Sequence, residues 1–378
     1  MQASVLGRDV RDLARAGHLR WPEQANRASM VPSVEREIRF CPTSAGRVAY
    51  ATIGDGPPLY FPAWWVSHQE VLWEDDGYRA FVTALAEHHS VIGYDRPGTG
   101  LSDRDIAAPL TIEQDLALLD ELLDHVGVRR CTLFGFSAGG ALGGAYAAAR
   151  PERVQRLIAY GAPACGELIA DAEARREMVA LVEAHWGVGS RVLATVFLPD
   201  ADAQTLDWFA HYQRASATPE MAARVLDAIY RSDVRDSLRR VVAPTLVLHR
   251  AGDRAVPFEA GREIATLVPG ARFRPLAGAV HPPWRGDTGA VLAAMSGFIR
   301  LGRYAIDTAG PQAADAALSE RELEVLRLVA EGMSNEEIAD RLALSPHTVH
   351  RHVANVRAKL DQPSRGAAAA AAIRAGLI

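Results

Sequence analysis

Short apolar runs alternate with amphipathic stretches along most of the chain. Each of five apolar runs predicts a buried strand, and they are PPLYF (57–61), HSVIGY (89–94), RCTLFGF (130–136), PTLVLH (244–249) and ARFRPL (271–276). A helical pattern between the second and third runs begins at Thr111, a predicted N-cap with Gln114 closing a capping box, and ends at Gly127. Strands and helices in alternation predict a largely parallel sheet that is covered on both faces.

The alternation is interrupted once and then ends. Residues 163–240 carry amphipathic helical patterns rich in large aromatic residues, which predict a helical lid inserted into the sheet domain. A segment rich in Gly, Ala and Pro near 308–317 predicts a linker. From 318 onward there are no aromatic residues, and three short helical patterns follow in close succession.

The length of 378 residues exceeds what one hydrophobic core usually organises, so we expect two or three domains. We predict an N-terminal extension over 1–32, which no pattern assigns, and a sheet domain over 33–302 with its lid at about 163–240. A linker over 303–317 then leads to a small all-helical domain over 318–378.

Hydropathy and cysteine content exclude several classes of protein. No apolar run is long enough to cross a bilayer, and the N-terminal sequence MQASVLGRDVRDLARAGHLR lacks the continuous apolar stretch of a secretory signal. The three cysteines, Cys41, Cys131 and Cys165, form neither a CxxC pair nor an even framework, so we expect neither a disulfide scaffold nor a metal site. We therefore expect a cytoplasmic protein that does not enter a membrane.

The basic residues exclude two kinds of cofactor chemistry. Lys359 is the only lysine among 41 basic residues, so residues 1–300 hold neither a Schiff-base lysine nor the GK[ST] of a phosphate loop. We accordingly expect no cofactor. The net charge of -5 argues against a uniformly basic coat for nucleic acid, although it leaves room for a local basic patch.

Three residues in the long domain carry candidate chemistry. GFSAGG places Ser137 in a G-x-S-x-G pattern between the strand CTLF and the helical run ALGGAYAAAR, where a nucleophile elbow turns too sharply for side chains at the flanking positions. Asp253 lies just beyond TLVLH and His281 follows ARFRPL, so acid and base come in the order that this elbow requires, each at the carboxyl end of its strand. The pattern predicts a catalytic triad, and we interpret other histidines, such as His249, as structural.

Residues 33–300 resemble the α/β-hydrolase fold. The stretch GYDRPGTGLSDR (93–104) resembles the turn after the fourth strand of that fold, and PTLVLHRAGDRAVP resembles the strand that delivers the acid. WWVSHQEVLWED (64–75) and the lid resemble the subgroup in which this fold is fused to signalling output domains. The resemblance implies an α/β fold class, a mostly parallel sheet with a helical lid.

One departure from that family concerns the oxyanion hole. The fold often shows His-Gly after its third strand, whereas this chain has Pro62 and Ala63. Proline has no N–H to donate, and the resemblance then implies donors at the backbone N–H groups of Trp64 and Ala138. This replacement favours weak or vestigial hydrolase activity.

The aromatic residues near this departure predict the ligand. Trp64 and Trp65 at the pocket mouth, together with the aromatic lid, predict an apolar or aromatic ligand that also contacts Ser137 and His281. The same aromatic cluster is also consistent with an ordinary hydrophobic core.

The last 61 residues form three predicted helices joined by tight turns. Ser319 and Glu322 form a capping box before the first helix, and Ser345 is the N-cap of the third. This arrangement predicts a helix-turn-helix module. Residues 318–340 are acidic and residues 341–378 are basic, so the second part is where phosphates would bind.

LSERELEVLRLVAEGMSNEEIADRLALSPHTVHRHVANVRAKL and the final AAAIRAGLI closely resemble the LuxR-type (GerE-type) DNA-binding domain over nearly all of 318–378. The resemblance implies an all-α domain that binds double-stranded DNA, and because one module contacts one half-site we expect a homodimer held partly by the last helix (366–373). Two sets of residues on the third helix are implied to contact DNA, with His350, Arg351 and Ala354 at base edges and Thr348, Asn355 and Lys359 at phosphates.

Together these patterns predict a transcriptional regulator whose α/β-hydrolase-like domain senses a small apolar or aromatic, ester- or lactone-like ligand. The alternative is an active serine hydrolase of esters or lactones that is fused to a DNA-binding domain. A purely structural use of the hydrolase fold is disfavoured, because all three residue types of the triad are present.

Overall fold

The computed structural model describes residues 36–106, 110–307, 318, 320–342, 344–360, 362, 364–374 and 377–378. The chain forms two compact units that divide between Met295 and Ser296. Within the described ranges, no helix is long and apolar enough to cross a membrane. The predicted extension over 1–32 lies outside the described residues.

The first unit is built on an eight-stranded sheet. Its strands are β1 (Glu37–Thr43), β2 (Gly46–Ile53), β3 (Pro58–Phe61), β4 (Ser90–Tyr94), β5 (Cys131–Phe136), β6 (Val154–Tyr160), β7 (Thr245–Arg250) and β8 (Arg272–Leu276). They lie in the order β1-β2-β4-β3-β5-β6-β7-β8, with β2 antiparallel to both β1 and β4 and all other neighbours parallel. This mostly parallel sheet confirms the predicted fold class.

All five predicted strands are present, as β3, β4, β5, β7 and β8. Strands β5 and β7 are buried along their whole length, as expected for a parallel sheet covered on both faces. The prediction that β8 is buried is wrong: Arg272, Arg274 and Pro275 are exposed, because β8 forms the edge of the sheet.

Helices connect and follow the strands of this sheet. They are α1 (Gln69–Trp73), α2 (Asp76–Ala86), α3 (Ile112–His125), α4 (Ala138–Ala149), α5 (Ala172–Ala184), α6 (Trp186–Phe197), α7 (Ala203–Ser216), α8 (Pro219–Arg231), α9 (Arg235–Leu238), α10 (Phe258–Leu267) and α11 (Thr288–Asp307). As predicted, Thr111 caps α3, its hydroxyl accepting the backbone N–H of Gln114 at 3.3 Å. The buried face of α3, which includes Leu119 and Leu122, joins one core with Leu133 of β5.

Helices α5 to α9 fill the chain between β6 and β7, where the sequence predicts a lid. Three of them begin at a side-chain cap that accepts a backbone N–H, at Asp171, Asp202 and Thr218. Helix α11 runs to Asp307, beyond the predicted start of the linker at 303, and the rest of that linker lies outside the described residues.

The second unit contains the helices α12 (Glu320–Ala330), α13 (Asn335–Leu342), α14 (Pro346–Lys359) and α15 (Arg365–Arg374). Val325, Ile338 and Val356 are buried in one small core, which also contains Ala368, Ala369 and Ala372 of α15. The hydroxyl of Ser345 accepts the backbone N–H of Thr348 at 3.0 Å, so the predicted cap of α14 is present. The predicted cap at Ser319 lies outside the described residues.

Candidate active site and DNA-binding helix

Ser137 occupies a strained turn between β5 and α4. Its φ of 54° and ψ of -131° make it the one non-glycine residue with positive φ among those described. A Cβ at Gly135 would lie 2.4 Å from the carbonyl oxygen of Gly139, and a Cβ at Gly139 would lie 2.6 Å from that of Pro62. The flanking glycines are therefore required by close backbone approach, and they present Ser137 at the carboxyl end of the sheet.

Asp253 and His281 form a buried hydrogen-bonded pair. Nδ1 of His281 lies 2.7 Å from Oδ2 of Asp253, and neither side chain is exposed. The other carboxylate oxygen accepts the backbone N–H groups of Ala255 at 2.9 Å and Val256 at 3.2 Å. Burial acts to raise the pKa of Asp253, but His281, His249 and the Val256 N–H outweigh it, so the pKa lies below its usual value. An ionised Asp253 holds the Nδ1 proton of His281, which leaves Nε2 as the proton acceptor.

The structure does not join Ser137 to this pair. Nε2 of His281 is buried and has no hydrogen-bond partner among the described residues. Ser137 itself is only half-buried. Two of the three predicted triad residues are thus hydrogen-bonded to each other, and no hydrogen bond between Ser137 and His281 is found among the described residues.

The predicted oxyanion donors lie beside the start of α4. The N–H of Ala63 is already used, since it lies 3.2 Å from the hydroxyl oxygen of Tyr94. Across the described ranges, no hydrogen bond is found from the backbone N–H of either Trp64 or Ala138. Both predicted donors are therefore available to an oxygen atom at the site.

The two predicted ligand-binding tryptophans are enclosed. Trp64 is 9% exposed and Trp65 is 3% exposed, so neither stands at an open pocket mouth. The ring of Trp64 contacts three aromatic side chains, with centroid distances of 4.7 Å to Phe136, 5.8 Å to Trp284 and 6.4 Å to Tyr212. A cavity of only about 30 Å³ lies next to Trp64. In this state the aromatic cluster leaves no room for a ligand between these rings.

A larger cavity of about 310 Å³ lies where α3, α4 and α8 meet. Ala138, the residue after Ser137, forms part of its wall. Arg96 also lines it and pairs with Asp115 at 3.0 Å, with both side chains largely buried. No sequence pattern predicts this cavity, because helices that are distant in the chain form its walls.

Gly161 is a site residue that the sequence analysis also missed. It follows β6 with a φ of 54°, and a Cβ at this position would lie 3.2 Å from Cε1 of His281 and 3.4 Å from Oδ2 of Asp253. A glycine directly after a buried strand was the available signal. The chain can pass the His–Asp pair here only because no side chain intervenes.

Helix α14 carries all six residues predicted to contact DNA. Thr348 is half-buried, with its hydroxyl 2.8 Å from that of Ser345, and His350 is exposed. The side chains of the other four lie outside the described residues, and these are Arg351, Ala354, Asn355 and Lys359. The helix follows α13 across a short turn, as in a helix-turn-helix module.

Two family models match separate parts of the chain. Residues 316–372 match the family described as bacterial regulatory proteins of the luxR family, and residues 71–183 match the α/β hydrolase fold. The chain is 30% identical over 219 residues to a putative carbamate hydrolase, RutD, of Pseudomonas savastanoi pv. phaseolicola, which covers 53% of this chain and 78% of the relative. It is 27% identical over 215 residues to a 2-hydroxy-6-oxo-2,4-heptadienoate hydrolase of Pseudomonas putida, covering 50% and 71%.

Solved structures show the same fold. A hydrolase from Pseudomonas aeruginosa PA01 aligns with a TM-score of 0.59 and 27% identity, over 69% of this chain and 98% of that one. The enol-lactonase from Burkholderia xenovorans LB400 aligns with a TM-score of 0.58 and 24% identity, over 69% and 100%. The chain therefore belongs to the α/β-hydrolase family, and its residues 316–372 form a domain of the luxR family of bacterial regulatory proteins, which supports DNA-binding regulation.

Proposed function

We propose that this protein is a ligand-responsive transcriptional regulator, in which the hydrolase-fold unit binds a small molecule and the luxR-family domain binds DNA. The observation that carries the proposal is the joining, in one chain, of a luxR-family domain at 316–372 to a hydrolase-fold unit in which His281 and Asp253 form a buried pair. A receptor needs only a shaped site with convergent polar groups.

The site residues keep the roles that the sequence predicts. Ser137 is the nucleophile, His281 the base and Asp253 the group that orients it, while the N–H groups of Trp64 and Ala138 hold a carbonyl oxygen. Turnover is slow or absent, because the oxyanion segment carries Pro62 and Ala63 where the fold often has His-Gly. Any hydrolysis would remove the ligand and so reset the signal.

The ligand is a small apolar or aromatic molecule with an ester- or lactone-like carbonyl. Relatives and structural neighbours named for carbamate hydrolysis and enol-lactone hydrolysis support an acyl carbonyl as the recognised group. The rings around Trp64 supply apolar surface, and the cavity of about 310 Å³ beside Ala138 has the size of a small-ligand pocket. Contacts of the ligand with Trp64, Trp65, Ser137 and His281 require that the aromatic cluster opens.

Helix α14 binds the DNA. The protein acts as a homodimer, and it does so in the cytoplasm. Arg351, His350 and Ala354 read base edges, and Thr348, Asn355 and Lys359 contact phosphates. An exposed apolar stripe supports a second copy as the partner of the last helix: Gly366, Ala370 and Ile373 on α15, followed by Leu377. The ligand acts by binding the DNA-competent and DNA-incompetent states with different affinity.

The test begins with mass spectrometry of small molecules released from the purified full-length protein. The molecule that is found is then added back while fluorescence anisotropy follows binding to DNA sites selected from a random pool. We expect it to change the affinity for DNA in the wild type and in Ser137→Ala, whereas only the wild type hydrolyses p-nitrophenyl acetate. Ser44→Ala, at an exposed turn, is the matched control.

Two results would contradict this function. A ligand that binds without changing the affinity for DNA removes the receptor role. A Ser137→Ala protein that binds the ligand but loses the DNA response shows that catalysis is itself part of signalling.

A further inference from the structure

Arg250 is a buried arginine at the end of β7 whose guanidinium is surrounded by backbone carbonyls. It is 1% exposed. It donates to the carbonyl oxygens of Val280 at 2.6 Å, Pro282 at 3.3 Å and Arg285. Among the described residues no carboxylate pairs with Arg250, so these carbonyl dipoles are what compensates its buried charge.

The guanidinium holds the backbone of His281 from both sides. Val280 and Pro282 are the chain neighbours of His281, and the hydrogen bonds from Nη1 reach the carbonyl of each. The same arginine is fixed to the acid, since its own carbonyl accepts the N–H of Asp253 at 3.2 Å. One residue therefore connects the loop of the base to the loop of the acid.

The chemistry of this contact is specific to arginine. A guanidinium offers five donors in a rigid plane, whereas a lysine has three donors on one atom and cannot span separated carbonyls in the same way. The loop lies against the guanidinium at Gly286, where a Cβ would be 3.4 Å from Nη1. The φ of +65° at this position favours glycine. The ring of Tyr160, 5.8 Å away, covers the arginine from β6.

We propose that Arg250 is a positioning residue that holds His281 at hydrogen-bond distance from Asp253. The inference rests on the proposed ligand site, because that pair belongs to it. Arg250 acts through the loop 280–286 and not through the ligand. If the guanidinium is lost, its hydrogen bonds no longer hold this loop, and water can reach the Nδ1 proton of His281.

The test follows that proton by NMR in the full-length chain labelled with 15N-histidine. A short, buried His–Asp hydrogen bond gives a far-downfield Nδ1–H signal, and Asp253→Asn assigns it by removing the charged acceptor. In Arg250→Lys we expect the proton to exchange with water about 10- to 100-fold faster, as for the loss of one or two charge-assisted hydrogen bonds.

Two further variants separate positioning from general loss of stability. Gly286→Ala strains the loop at a φ of +65°, next to the Arg285 carbonyl that Arg250 holds, and should also speed the exchange even if Arg250→Lys folds poorly. Arg156→Lys is the matched control, because Arg156 is equally buried but lies in β6 away from its carboxyl end. It should lower the melting temperature without moving the signal of His281.

The outcomes distinguish this inference from the proposed function. A signal that is present in the wild type and unchanged in Arg250→Lys and Gly286→Ala overturns the positioning role. A wild type without the signal contradicts the His281–Asp253 pair itself, on which both proposals depend. Failure of the ligand to change DNA binding removes the receptor function and leaves the NMR result standing.

Discussion

The ring of Phe197 lies stacked on the imidazole of His281, with centroids 5.3 Å apart and planes inclined by 17°. The backbone N–H of His281 also donates to the carbonyl oxygen of Phe197 at 2.8 Å. Since Phe197 is the last residue of α6, a lid helix ends directly on the candidate base. Tyr212 of α7 makes a second connection, its hydroxyl donating to the carbonyl of Val66 at 2.7 Å. The lid is thus tied to both the base and the oxyanion segment, which defines a closed state.

Removal of this ring should open the site. Stacking of this kind is worth about 0.5–1.5 kcal/mol, so Phe197→Ala should speed the reaction of Ser137 with a fluorophosphonate about two- to tenfold. Mass spectrometry of the labelled peptide measures the rate. Phe40→Ala, which removes an exposed ring on β1, is the control. Equal rates in Phe197→Ala and the wild type would show that the ring does not limit access.

The elbow should be a site of stored strain. A serine at φ 54° and ψ -131° occupies a region that only glycine adopts freely, so Ser137→Gly should raise the free energy of unfolding by about 1–3 kcal/mol. Ser137→Ala keeps a Cβ at the same backbone angles and should give no such gain. Urea unfolding followed by tryptophan fluorescence measures both, and a Ser137→Gly protein no more stable than Ser137→Ala would refute the expectation.

Buried His249 should make the first unit sensitive to acid. Burial is the main cause that lowers the pKa of His249, against the opposing effects of the Val256 carbonyl and Asp253. Between its usual value of 6.5 and this lower value, the unfolded chain binds a proton that the folded chain does not. The free energy of unfolding should therefore fall as the pH falls through this range.

His249→Gln should weaken that dependence, whereas His211→Gln, on an exposed part of α7, should keep it. Urea unfolding at pH 7.5 and 5.5 gives the comparison. Tryptophan fluorescence is a suitable probe because all seven tryptophans lie at or before Trp284. An identical pH effect in His249→Gln and the wild type would assign the acid sensitivity to other groups.

The sequence predicts a strand correctly where its local apolar pattern matches the burial of that strand in the structure. Strands β5 and β7 are continuous apolar runs buried on both faces, and both were predicted. Strand β6 was missed because Gln155 and Arg156 interrupt its apolar run, although Arg156 is buried in the structure. Strand β1 was missed because its pattern is mixed, as suits the edge of the sheet. Strand β2 was missed although its residues 48–51 form a buried apolar run.

The same distinction applies to the candidate site. Ser137, Asp253 and His281 could be found because each follows a recognisable strand in the expected order. Two contacts of His281 could not be predicted: the stacking of Phe197 on its ring, and the hydrogen bonds of Arg250 to its loop. Both depend on how segments that are distant in the chain pack together. A motif specifies which groups reach an edge of the sheet, while tertiary packing decides whether they touch.

Two substitutions in α14 should separate base recognition from phosphate binding. Arg351→Ala should relax sequence preference at one base position by about 1–3 kcal/mol, because a base-edge contact is lost. Lys359→Ala should weaken binding to all sequences and reduce the slope of log affinity against log salt by about 0.9, the effect of one phosphate contact. Anisotropy with specific and random DNA at several salt concentrations measures both. Equal losses on both DNAs for Arg351→Ala would contradict its assignment to a base edge.

The apolar stripe on α15 should decide the oligomeric state. Ile373 is 57% exposed and Leu377 is 43% exposed, and they continue the exposed apolar stripe that begins at Gly366 and Ala370, which favours a partner on this face. Burial of one such side chain is worth about 1.5–3 kcal/mol, so Ile373→Asp should weaken self-association at least tenfold and lower the affinity for paired half-sites. Sedimentation equilibrium of the full-length protein measures the association constant. Val242→Asp, which changes a 74% exposed valine before β7, is the matched control. If Ile373→Asp associates like the wild type and still binds paired half-sites, the two copies must meet through another surface.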